Sequence, residues 1–132
     1  MTQPIPDLWP EIEQSQVVPP VVILREQAAL LGKKTNHLLE GRVVTSAATD
    51  KFYHSFRIVA PALDDYAYGL FSVWHDVTLY PVLTNEADQR GNVRTVSLAS
   101  EQELLDYIRR TLNSDHTKKV VGSLLAQVKA TS

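Results

Sequence analysis

The chain has 132 residues, 44% of them hydrophobic and 21% charged, with a formal net charge of −2 and no cysteine. That length fits one ordinary domain, which buries roughly two-thirds of its unfolded surface and needs no covalent staple. The missing cysteines exclude disulfides, thiolate nucleophiles and cysteine-ligated metals, and a pI of about 6.0 argues against general binding to nucleic acid or anionic membranes.

The opening "MTQPIPDLWPE" has neither the basic nor the apolar segment of a signal peptide. No stretch offers the ~18 consecutive apolar residues of a membrane span. A cytoplasmic protein without a membrane partner is expected. Residues 1–18 form a proline-rich arm, because Pro4, Pro6 and Pro10 fix φ and bias each preceding residue away from helix. Leu8, Trp9 and Ile12 in that arm are expected to anchor it to the single domain 19–132, with docking on a partner as the alternative.

Pro19-Pro20 open a helix, and Val21, Leu24, Ala28 and Leu31 give it an apolar face. Gly32 is expected to end it. From about Leu38 the period changes to that of strands. "LLEGRVVTS" and "KFYHSFRIVA" are joined by "AATD" as a hairpin. In the second run Phe52, His54, Phe56 and Ile58 share one face, and Tyr53, Ser55, Arg57 and Val59 the other. "PALDD" is a turn. "YAYGLFSVWHDV" reads as a long strand with a bend or close packing at Gly69. Pro81 in "TLYPVLT" points to an edge or a bulge. "NEADQRGN" is a loop and "VRTVSLA" the last strand.

Ser100-Glu-Gln-Glu103 is a capping box before a helix with Leu104, Leu105, Ile108 and Leu112 on one side. Asn113-Ser114-Asp115 ends it and caps a last helix carrying Val120, Val121, Leu124, Leu125 and Val128. The expected fold class is α+β: an antiparallel four- to five-stranded meander sheet, with one N-terminal helix and two C-terminal helices packed on one face. The alternative is a strongly curved sheet wrapped around the C-terminal helix pair.

No motif names a reaction. His37, His54, His75 and His116 show neither the i, i+2 nor the i, i+4 spacing of metal ligands. His54 and His75 lie on different strands and could meet if those strands are neighbours. Strand alternation turns Asp76 and Ser72 away from His75. Asp64-Asp65 reads as a solvated turn. There is no G-x-S-x-G elbow and no glycine-rich phosphate loop. No catalytic residue, metal or cofactor is therefore assigned, and an enzyme is the less favoured reading.

The aromatic residues carry most of the functional information. Eight of ten fall between Phe52 and Tyr80. With regular alternation Tyr66, Tyr68, Leu70, Ser72 and Trp74 share one face of the long strand, while Phe71, Val73, His75 and Val77 share the other, taken as the core face. Tyr and Trp combine apolar area with polar tips and suit half-wet contact surfaces. The expected function is a small non-enzymatic protein-binding module of an accessory, inhibitor or immunity type. Its binding residues would be Tyr53, Arg57, Tyr66, Tyr68, Trp74 and Asp76, and its partner another protein or a second copy. A small enzyme or ligand-binding domain with a pocket lined by His54 and His75 is the alternative. Single-stranded nucleic acid is a third and disfavoured partner.

Overall fold

A computed structural model describes residues 4–131. The described elements run α1 (Pro20–Lys34), β1 (Glu40–Ala48), β2 (Lys51–Ala60), a short 3-10 turn (Pro61–Leu63), β3 (Tyr66–His75), β4 (Val82–Ala87), β5 (Val93–Leu98), α2 (Glu101–Leu112) and α3 (Asp115–Ala130). The strands pair antiparallel in sequence order, β1-β2-β3-β4-β5. The α+β meander read from the sequence is the fold. No helix among the described residues is long and apolar enough to cross a membrane.

Local chemistry sets the joints. Thr49 and Asp50 both take positive φ (50° and 64°) between the paired Ala48 and Lys51. That is the two-residue hairpin turn whose twist matches the flanking strands. Ser100 caps α2 by accepting from Glu103 N–H, and Ser114 caps α3 by accepting from Thr117 N–H. The Glu103 carboxylate returns to Ala99 N–H, one residue before the expected Ser100. Gly32 does not end α1; it is buried inside the helix, which continues to Lys34. A Cβ at Gly32 would stand 2.8 Å from the Glu40 carboxylate, so the glycine serves packing and not termination.

One core joins all three helices to one face of the sheet. Leu24 and Ala28 of α1, Leu104 and Ile108 of α2 and Leu124 and Val128 of α3 meet Phe56, Ile58, Val73, Val82 and Leu98. Gly41 lets α1 lie directly on β1, since a Cβ there would be 2.4 Å from the Ala28 Cα. Tyr107 brings α2 to the centre, edge-on to Phe71 at 5.7 Å and within 3.2 Å of the buried Thr84 hydroxyl. Val77, expected in the core with Phe71 and Val73, lies past the end of β3 and is 76% exposed.

Two findings change the sequence-based picture. First, residues 4–17 of the arm are exposed and do not pack on the domain, which the arm meets at Val18. Ile5, Leu8, Trp9 and Ile12 are 87, 82, 78 and 76% exposed. Pro4, Pro6 and Pro10 restrict its backbone and keep it out of regular helix. Second, β3 carries a bulge. Phe56 pairs with Phe71, but Arg57 pairs with Gly69, so Leu70 is an extra residue. The bulge reverses the facing of everything before it. Tyr66 and Tyr68 therefore join the helix-covered face, while Ser72 and Trp74 stay on the other.

Candidate functional site

The covered face holds the histidines. Thr45, His54 and His75 come from β1, β2 and β3, and the β1–β2 register sets Thr45 directly opposite His54. His54 Nε2 and His75 Nε2 are 2.9 Å apart, Thr45 Oγ1 is 2.9 Å from His54 Nδ1, and His75 Nδ1 is 2.7 Å from the Asp76 carbonyl. The carbonyl can only accept, so His75 Nδ1 carries a proton. Neutral His75 then accepts at Nε2, His54 donates from Nε2, and Thr45 donates to His54 Nδ1. The chain is complete with two neutral rings. A first added proton fits only if the Thr45 hydroxyl turns to accept; a second would set two N–H groups against each other.

Both rings are buried, and Phe52 stacks on His75 at 5.7 Å. Burial first, then the neighbouring His75 and Arg25, lowers the His54 pKa from 6.5 to about 4. The sequence raised the question of whether the two imidazoles converge, and they do. Neither ring borders the groove between the β1–β2 turn and residues 76–78, which is lined by Lys51, Phe52, Asp76 and Thr78 among others. Each Nε2 is occupied by the other, and no cluster of three metal-ligating side chains occurs among the described residues. The arrangement satisfies buried polar atoms. Asp76 accepts from the Thr78 amide and hydroxyl, which hold its pKa below the usual carboxylate value.

The six residues expected to form one binding face are divided by the bulge. Tyr68 lies under α3, its hydroxyl 2.8 Å from His116 Nε2, and Tyr66 borders the same groove beside Leu124 and Gln127. Tyr53, Arg57 and Trp74 face the opposite way, on the side without helices. Tyr53 and Trp74 are cross-strand partners with rings stacked 6.3 Å apart. Trp74 is next paired with Leu83 on β4. The next row along the strands holds Val44, Ser55 and Ser72, with the two serine hydroxyls 2.8 Å apart.

The row beyond that is cationic. Arg42 and Arg57 are direct cross-strand partners, and Arg57 is opposite Gly69. Like charges facing each other across a ladder are unfavourable. Among the described residues neither guanidinium has a carboxylate partner. The open face thus offers an aromatic row and, four residues along β2 or roughly 13 Å away, an uncompensated positive row. Sequence reasoning missed Val44 and Leu83 as members because only the register brings them beside Tyr53 and Trp74. Compared with protein families, curated proteins and solved structures, the chain gives no match.

Proposed function

We propose that this chain is a small, non-enzymatic cytoplasmic module that binds another protein or a second copy of itself through the open face of its sheet, in an accessory, inhibitor or immunity-type role. The observation that carries the reading is the stacked Tyr53–Trp74 pair, Tyr53 exposed and Trp74 half-buried, on the sheet face opposite the one that all three helices cover. Tyr, Trp and Arg are the residues that most often anchor protein interfaces, and here the aromatic row and the Arg42–Arg57 row share one face, with the Val44–Ser55–Ser72 row between them. Stacking of single-stranded nucleic acid would use the same aromatics, but the acidic balance of the chain opposes it. The self-satisfied His54–His75 pair gives the enzyme reading no open reactive atom.

The test is capture of a partner from the native host by the wild type and by Tyr53→Ala, Trp74→Ala and Glu26→Ala, the last an exposed site on α1. Wild type and Glu26→Ala are expected to retain the same protein, and both face variants to lose it. Equal capture by all four chains rejects the open face as the binding surface.

A further inference from the structure

We infer that the occupant of this face is the arm of a second copy of the chain, exchanged reciprocally in a homodimer. The inference rests on the open face being a binding surface and names what binds there.

Three observations converge. The arm is largely unpartnered: Ile5, Leu8, Trp9 and Ile12 are all exposed, the bonds from Trp9 N–H to Asp7 Oδ1 and from Val17 N–H to Ser15 Oγ are local, and the arm is tied to the domain at its base, where Val18 O accepts from the Tyr80 hydroxyl. Its charge is complementary to the face. Residues 4–18 carry Asp7, Glu11 and Glu13 with no lysine or arginine, whereas Arg42 and Arg57 stand together without a carboxylate. The spacing also matches. An extended proline-rich segment rises about 3.1 Å per residue, so Trp9 and Glu13 are ~12 Å apart. That is close to the roughly 13 Å from the Tyr53–Trp74 row to the Arg57–Arg42 row. With Trp9 on the aromatic row, Glu13 reaches the arginines.

The geometry favours face docking in trans. Pro4, Pro6 and Pro10 remove backbone donors, which spoils the arm as an added edge strand but not as a ligand for side chains on a face. The arm leaves the domain at Val18, where the Tyr80 hydroxyl ties the backbone at 3.1 Å and Pro19-Pro20 fix its exit from α1. Reciprocal exchange commits an arm and a face from each protomer, about twenty residues a side, which is the size of an ordinary stable interface. A single arm docked in cis supplies half of that.

Sedimentation velocity over a concentration series tests it, on the full chain, Trp9→Ala, Glu13→Arg, Arg57→Glu and the Glu13→Arg/Arg57→Glu double variant. The full chain is expected to form a reversible dimer that weakens with salt. Trp9→Ala and each single charge reversal should weaken it by ~10-fold or more, and the double variant should recover most of the loss. Trp9 lies in the exposed arm, so its substitution does not threaten the fold. A full chain that is monomeric throughout, or a dimer indifferent to Trp9→Ala, overturns the inference. A monomer whose arm-deleted form still captures another protein through Trp74 overturns it while leaving the binding-face reading standing.

Discussion

Protonation of His54 is the sharpest perturbation that the core offers. Its folded pKa is lowered from 6.5 to about 4, chiefly by burial. Above pH 6.5 the ring is neutral in both folded and unfolded chains and the full stability is present. As pH falls below 6.5 the unfolded chain takes up a proton that the folded ring refuses until about pH 4, so stability is lost across that window. The ceiling is about 3 kcal/mol by pH 4, of which about 2 kcal/mol is gone by pH 5. The pair lies near the open end of the β2–β3 hairpin, beside a Phe52 that is 36% exposed. Water screening there brings the expected loss between pH 7 and pH 5 to about 1 kcal/mol. For a domain of this length that is a fall in Tm of about 3–5 °C. The assay is thermal unfolding by circular dichroism at pH 7, 6 and 5 on the wild type and His54→Gln. The variant should melt lower at pH 7, and the gap should narrow by that amount at pH 5. A gap that stays constant or widens refutes the description of His54 as a buried neutral donor.

Long-range nitrogen–proton NMR at pH 7 should find His54 protonated at Nε2 and His75 at Nδ1; the reverse pattern at either ring contradicts the network. Gly41→Ala is expected to cost about 2–3 kcal/mol in urea unfolding, because its Cβ would meet the Ala28 backbone, whereas Gly69→Ala meets open space and should stay within about 0.5 kcal/mol. Equal effects at the two glycines would show that α1 is not seated on β1. Thr84→Val removes a buried hydroxyl that donates to Ser72 O and meets Tyr107 Oη, and should cost about 1–3 kcal/mol by the same measurement; a neutral result would mean that water replaces it.

The sequence carried the element order because its signals are local. The capping serines, the prolines before α1 and the change from helical to strand periodicity all act within a few residues. Facing on β3 was less legible. Alternation alone put Tyr66 and Tyr68 with Trp74, and the inserted Leu70 reverses that relation by a pairing choice made with β2. Gly69 hinted at irregularity there but not at which residue would be extra. The convergence of His54 and His75 needed strand adjacency, and Thr45 joined them only through the register fixed by the Thr49-Asp50 turn. The arm misled for a different reason: a Trp among apolar neighbours usually signals docking on the same domain, and here Leu8, Trp9 and Ile12 stay exposed.

The open face is tested most directly by a photo-crosslinking residue, benzoylphenylalanine, in place of Tyr53, with the same group in place of Glu26 on α1 as a control. Irradiation should give protein crosslinks from position 53 well above those from position 26, mapping to residues 5–13 of a second copy or to one defined partner. Equal or fewer crosslinks from position 53 would contradict the assignment of the uncovered sheet face as the surface through which this protein works.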